Sequence, residues 1–262
     1  MIAIPQRLPL IALDDAQAVA RQVARLVIAD QLVEQPRALG LATGATMLPV
    51  YEAVVAEARQ LPAIQLERLH QNWRSYNLDE YLGLPPQHPG SFASFMHTRL
   101  AGPLQLDPRR VRLPDGMAPD PLAEARRYCA EIRAAGGIGL QLLGLGLNGH
   151  VGFNEPPCGA SECCRPVELS PETRRHNASA FGGDPAAVPS RAITLGLAEI
   201  LASRRILLIV TGAAKAEVLQ CLLRQDPSPD LPASWLQRHP AVQLIVDRSA
   251  LGGSAAAPRS GA

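Results

Sequence analysis

Asn148, His150 and Glu155 fall within eight residues of one another in the run Leu140-Gln-Leu-Leu-Gly-Leu-Gly-Leu-Asn-Gly-His-Val-Gly-Phe-Asn-Glu-Pro156. An amide, an imidazole and a carboxylate so grouped form a proton-transfer unit, the acid orienting the base. Glycines at 149 and 152 place His150 in a loop open to a ligand rather than in a core. Zinc fits poorly, because His150 and Glu155 lack an i,i+4 helical frame and a third ligand. Gly144-x-Gly146-x-x-Gly149 matches a dinucleotide fingerprint formally, but that motif needs a helix at its last glycine. Pro156 and Pro157 argue against one.

Three further clusters carry chemistry. Asp79-Glu80 follows an apolar run and reads as a general base beside a substrate carbon, or as a turn or cap acid. Thr43-Gly44-Ala45-Thr46 precedes a helical segment and is placed to cradle a phosphate on backbone N–H groups; an ordinary strand-to-helix turn is the plain alternative. Lys215 stands at a helix start, where a cation opposes the dipole, so a bound anion would rationalise it as well as solvation would. His88, in Gln87-His-Pro-Gly90, reads as a turn residue.

These clusters need elements to hold them. Continuous apolar runs at Ala38–Ala42, Trp73–Leu78, Ile138–Leu145, Arg205–Thr211 and Ala241–Asp247 read as buried strands. Helical periodicity runs from an Asp14 cap to about Leu32, with Gln17 completing a capping box, and again from Leu48 to about Leu61. Asp120-Pro121 opens a helix to about Ala135, Ala213–Leu223 is another, and Ile193–Ala202 is ambiguous. Apolar strands alternating with helices predict an α/β fold: a Rossmann-like open, mostly parallel sheet with helices on both faces. The carboxyl ends of parallel strands share one edge, so Thr43–Thr46, Asp79–Glu80, Asn148–Glu155 and Gly212–Lys215 converge there. We expect a single domain over 1–250 and a disordered tail over 251–262.

The chain has 262 residues and a formal charge of +1, with no block of like charge. Neither a nucleic-acid groove nor an anionic membrane surface is indicated. The amino terminus lacks a signal pattern and no apolar run approaches a membrane span, so the expectation is a cytoplasmic protein. Five cysteines with no C-x-x-C pair read as free thiols. Cys158, Cys163 and Cys164 cluster after the catalytic loop, leaving a nucleophilic or redox role as the alternative.

Taken together, Leu39–Thr46, Asn77–Gly83, His88–Met96, Gly144–Pro156, Thr173-Arg174, Ala192–Gly196 and Thr211–Ala216 resemble the glucosamine-6-phosphate deaminase family, related to the 6-phosphogluconolactonases, from about Ala38 to Asp247. The resemblance implies conversion of glucosamine 6-phosphate and water to fructose 6-phosphate and ammonia, without metal or organic cofactor. It implies Asp79 as the base moving a proton between C2 and C1, His150 as the group assisting ring opening, Glu155 as its orienting carboxylate, and Asn148 beside them. Thr43, Gly44, Ala45, Thr46, Lys215, Glu80 and Arg174 are the substrate- and phosphate-binding candidates. The implied partner is a small amino-sugar phosphate, and the family includes both monomers and homo-oligomers. Other readings are the same chemistry on a different amino sugar, a lactone hydrolase and a non-catalytic sugar-phosphate sensor.

Three departures from the family pattern touch the phosphate grip. Ala45 replaces a glycine, at a cost of about 1 kcal/mol if that position needs positive φ. Ser179 stands where the family has a phosphate-binding arginine, worth about 1.5–3 kcal/mol as a charged hydrogen bond. The lid reads Glu162-Cys-Cys-Arg165 in place of an arginine-and-hydroxyl run. Arg165, Arg174 and Arg175 are the candidates to compensate.

Overall fold

The computed structural model describes residues 8–252. The amino-terminal residues 1–7, and all but the first two residues of the expected tail, lie outside the described residues. Among the described residues ten strands occur in chain order: β1 (Leu10–Leu13), β2 (Ala38–Leu41), β3 (Ser75–Asn77), β4 (Asp79–Tyr81), β5 (Val111–Arg112), β6 (Ile138–Gly144), β7 (Arg165–Glu168), β8 (Arg191–Thr194), β9 (Arg205–Val210) and β10 (Val242–Asp247). The α-helices are α1 (Ala16–Gln31), α2 (Met47–Ala58), α3 (Ala63–Asn72), α4 (Phe92–Met96), α5 (Pro121–Ala134), α6 (Pro171–Asn177), α7 (Leu197–Leu201) and α8 (Ala216–Arg224).

Seven strands form one sheet in the order β1-β10-β9-β6-β2-β3-β5, every neighbouring pair parallel. All of β2 and six of the seven residues of β6 are buried, as strands covered on both faces require. From β2 the order runs through β3 to β5, whereas from β6 it runs the other way through β9. The boundary between β2 and β6 is therefore the topological switch point, where such sheets open a crevice beyond their carboxyl ends.

The predicted strands at 38, 138, 205 and 241 form within a residue or two of their expected ends. Asp120 caps α5 by accepting from the Leu122 and Ala123 amides. Three local readings are corrected. The cap of α1 is Asp15, whose Oδ1 accepts from the Ala18 amide, while Asp14 pairs with Arg248 at 2.9 Å; the helix starts one residue late, which removes Gln17 from a capping box. The run 73–78 yields only β3. The chain then leaves the main sheet at Asp79 and enters a second, antiparallel sheet, β4-β8-β7. The ambiguous segment 193–202 divides into the end of β8 and α7.

That small sheet packs over its own apolar cluster of Tyr81, Phe153, Leu169, Ala178, Val188 and Ala192. Tyr81 meets Phe92, Phe153 and Phe181 at ring-centroid distances of 4.6, 5.7 and 5.6 Å. It forms a platform beside the crevice and carries Asp79 at its first residue.

Candidate active site

Loops after four adjacent strands, β9, β6, β2 and β3, meet at the shared sheet edge. After β6 the chain turns without forming a helix: the Gly146 amide donates to the His150 carbonyl at 2.9 Å, and Gly149 takes φ 81°. The His150 imidazole lies over Gly146, where a Cβ would come within 2.4 Å of three ring atoms. Nδ1 of His150 is 2.6 Å from Oδ1 of Asn148, which also accepts from the His150 backbone amide at 3.2 Å. A backbone N–H only donates, so the shared Asn148 atom is an acceptor and Nδ1 carries the proton. The lone pair is left on Nε2. Burial, then the charges of Lys215 and His176, depress His150 to about 4, so the ring is neutral near pH 7.

Glu155, expected as the orienting carboxylate, makes no hydrogen bond to His150 among the described residues. Val151 and Asn154 form a tight bridge, and Asn154 Nδ2 donates to the Val151 and Leu195 carbonyls, turning the chain before Glu155 is reached. Oε1 of Glu155 is buried without a hydrogen-bond partner among the described residues. Asn148 is what orients His150.

Asp79 and Glu80 alternate along β4 and so face opposite ways. Glu80 accepts from the backbone amides of Tyr81, Phe92 and Ala93 at 2.8, 2.9 and 2.8 Å, tying the first turn of α4 to the platform. These bonds hold the Glu80 carboxylate, expected at the substrate, within the platform. Asp79 is buried, and no hydrogen bond or ion pair reaches its side chain among the described residues. Its Oδ2 would lie 3.3 Å from a Cβ on Gly152, which takes φ 58°; that same Cβ would lie 3.1 Å from Thr194 Oγ1. Burial first, and the neighbouring Glu80 second, push Asp79 up to about 8.

The loop after β2 approaches through Thr43–Thr46, with Gly44 at φ 109° and the Met47 amide donating to the Gly44 carbonyl at 3.0 Å. Ala45 has no positive φ, so the strain expected from the lost glycine does not arise. After β9, buried Asp247 accepts from the Gly212 amide through both oxygens, at 3.1 and 3.0 Å, and from Ala250 at 2.7 Å. These bonds fix the turn that leads to Lys215, the only lysine in the sequence. Burial lowers the Lys215 pKa, and no carboxylate pairs with it among the described residues.

With this geometry in place, comparison decides the family. The sequence profile of the glucosamine-6-phosphate isomerases/6-phosphogluconolactonase family matches residues 14–245. The chain belongs to this family. It is 42% identical over 236 residues to a glucosamine-6-phosphate deaminase of a Geobacillus strain, covering 90% of this chain and 91% of that one. A glucosamine-6-phosphate deaminase of Rhodopirellula baltica is 43% identical over 240 residues, covering 90% and 92%. Among solved structures, a monomeric glucosamine-6-phosphate deaminase superposes with a TM-score of 0.87 at 36% identity, covering 94% of this chain and 99% of that one. A 6-phosphogluconolactonase from Trypanosoma cruzi shares the fold, with a TM-score of 0.74 at 17% identity over 96% and 98%.

The remaining candidates and the altered residues fall into distinct places. The Arg174 guanidinium, expected at the phosphate, donates to the Val188 and Ala186 carbonyls at 3.1 and 3.2 Å. Arg165 is likewise committed, to Asn154 Oδ1 at 3.0 Å and Glu162 at 3.4 Å. In the lid, Cys164 is buried against Cys129 of α5 and Cys163 is exposed. Ser179 is exposed in the 3-10 turn after α6. His88 caps its own turn, its Nδ1 accepting from the Gly90 amide, while its ring stacks on Phe181.

Sequence reasoning missed the roles of Thr194 and Asp247, and it read Gly152 only as a mark of a loop. Its place two residues past His150 marked a turn, where Gly152 takes φ 58° and a Cβ would press tightly on Thr194 Oγ1 and Asp79 Oδ2. Thr194 and Asp247 end strands and carried no local signal.

Proposed function

We propose that the protein is a deaminase and isomerase that converts glucosamine 6-phosphate and water to fructose 6-phosphate and ammonia. The observation that carries this reading is Asp79: a buried carboxylate without a counter-charge, beside a glycine cleft at the switch point. Such a group awaits a cationic partner, and the 2-ammonium of an amino sugar supplies one. Its arrival favours the ionised carboxylate and readies it as a base.

Neutral His150 accepts the anomeric hydroxyl proton at Nε2 and delivers it to the ring oxygen as the C1–O5 bond breaks, so the ring opens to the aldehyde. Asp79 then removes the C2 proton, which the adjacent carbonyl acidifies, giving an enolamine. Returned to C1, the proton leaves an imine at C2, where water adds and ammonia departs. Lys215 and the loop Thr43–Thr46 hold the phosphate at the far end. Glycine at 152 lets the sugar carbons approach Asp79.

The test is ammonia release from glucosamine 6-phosphate, compared with glucosamine, galactosamine 6-phosphate and N-acetylglucosamine 6-phosphate. Preference for glucosamine 6-phosphate is expected. Turnover of unphosphorylated glucosamine at equal kcat/KM, or no release from any of the four, contradicts the reading.

A further inference from the structure

The turn over residues 146–150 sets the direction of the His150 imidazole, yet it has little of its own to hold it. Gly146, Gly149 and Gly152 bring no side chains, and glycine backbone loses the most freedom when ordered. Two backbone bonds close the turn: the Gly146 amide donates to the His150 carbonyl at 2.9 Å, and the Gly149 amide to the Gly146 carbonyl at 3.1 Å. Further support comes from a segment far along the chain, residues 228–235.

That segment closes on itself. The Ser228 amide donates to Ser234 Oγ at 2.8 Å, the Leu231 amide to the Ser228 carbonyl at 3.2 Å, and the Ser234 amide to the Leu231 carbonyl at 2.7 Å. Pro232, its φ fixed by the ring, starts the 3-10 turn Pro232–Arg238. Two bonds tie the segment to Cys158, beyond the catalytic turn: the Cys158 amide donates to the Pro229 carbonyl, and Trp235 Nε1 to the Cys158 carbonyl, both at 2.9 Å. On the catalytic turn itself it grips one residue from two sides. Leu231 Cδ1 occupies the space that a Cβ on Gly149 would fill, and the Ala233 amide donates to the Gly149 carbonyl at 2.8 Å. The peptide plane from Gly149 to His150 is rigid, so its carbonyl and its N–H turn together. The carbonyl is held by Ala233, and the N–H donates to Asn148 Oδ1, the same atom that meets His150 Nδ1. A rotation of this plane therefore disturbs the pairing that keeps Nε2 free. Beside Leu231 lies a cavity of about 440 Å³, lined also by Leu147, Asn148 and Cys221, which leaves the turn room to shift once the leucine is cut back.

We infer that Leu231 is a positioning residue for His150: with the Ala233 amide it fixes the 149–150 peptide, and so holds the imidazole with Nδ1 on Asn148 and Nε2 free. The inference rests on the role proposed above for His150. Leu231 takes no part in the proton transfers and acts only through the turn.

The experiment compares Leu231→Ala, Leu231→Val and Leu231→Met with the unaltered protein. Valine removes the methyl that lies on Gly149 and keeps most of the bulk, whereas methionine keeps a methyl at that reach. Leu69→Ala, at a buried leucine of α3, is the control for lost packing alone. Steady-state ammonia release from glucosamine 6-phosphate is measured below the melting temperature of each protein. It should show kcat lowered about tenfold or more in Leu231→Ala and less in Leu231→Val, with KM within about threefold. Leu231→Met should restore kcat to within about threefold of the unaltered protein, and Leu69→Ala should leave it there. NMR of the isotope-labelled imidazole should find the Nδ1–H form in the unaltered protein, and a mixture of Nδ1–H and Nε2–H forms in Leu231→Val and Leu231→Ala. A kcat in these two variants no lower than in Leu69→Ala, or an undisturbed Nδ1–H form, overturns the role of Leu231. Absence of ammonia release from the unaltered protein overturns the reaction instead, and the imidazole spectra then still decide on Leu231.

Discussion

Asp79 is buried and His150 half-buried in the same crevice, and they are displaced in opposite directions, the acid up to about 8 and the base down to about 4. Desolvation penalises the charged form of each, so the free site holds two nearly neutral groups. The account predicts that kcat/KM rises with pH through about 8 as Asp79 ionises in the free enzyme, which a pH–rate profile checks. Stability should run the other way. The folded pKa of Asp79 exceeds the unfolded one, so its contribution is complete below about pH 4 and is lost as pH climbs through about 8. Asp79→Asn should therefore melt close to the unaltered protein at pH 4 and above it at pH 9. Even one unit of that shift is worth about 1.4 kcal/mol. A melting difference independent of pH would contradict the assignment. At the neighbouring position, Asn148→Asp replaces a neutral acceptor with an anion and should raise the His150 pKa from about 4, as NMR titration of the imidazole would read. Gly146→Ala would push a methyl into that ring and should cost at least tenfold in kcat with little loss of fold.

Elements carry the site by different means, and this explains what the sequence disclosed. The glycine-rich turn after β6 announced itself because tight geometry at a strand end needs a recognisable residue type. The same holds for the four converging loops, since apolar runs identify strands and parallel strands share an edge. The hydrogen bonds of Glu80 were not legible because its partners, the amides of Phe92 and Ala93, lie twelve and thirteen residues on in α4, and a distant backbone donor leaves no local pattern. The second sheet was not legible for a similar reason: β4 is three residues long and pairs with β8 more than a hundred residues later. Glu155 was assigned by motif order, and only the turn at Val151–Asn154 reveals that the order does not set the contact. Asp247 offers a test at this scale. Asp247→Ala removes the acceptor of the Gly212 and Ala250 amides. It should cost about 1–3 kcal/mol of stability and raise KM more than it lowers kcat, because it loosens the turn behind Lys215.

At the scale of the whole molecule, a seven-stranded sheet with buried central strands supports a three-stranded platform whose own core is small. Stability is therefore uneven: β2, β6 and β9 belong to the globally protected unit, whereas β4, β7 and β8 open more readily. Native-state hydrogen exchange should show slower exchange in the large sheet, with added protection in the platform and α6 when glucosamine 6-phosphate or inorganic phosphate binds. Equal protection of both sheets, unchanged by ligand, would speak against a site closed between them. Among the described residues no helix is long and apolar enough to cross a membrane. Family membership and the central fold were readable from motif order; the contacts of Arg174 and Arg165 were not, because their partners lie eleven to fourteen residues away along the chain.

The central claim is that Asp79 carries the C2 proton of an amino-sugar phosphate. The most direct test is turnover of glucosamine 6-phosphate in deuterated water by the unaltered protein and by Asp79→Asn, read by NMR of substrate and product together with ammonia release. The account predicts fructose 6-phosphate bearing solvent deuterium at C1 and stoichiometric ammonia from the unaltered protein, with neither from the variant. Product formation or C2 exchange by Asp79→Asn at an undiminished rate would contradict it.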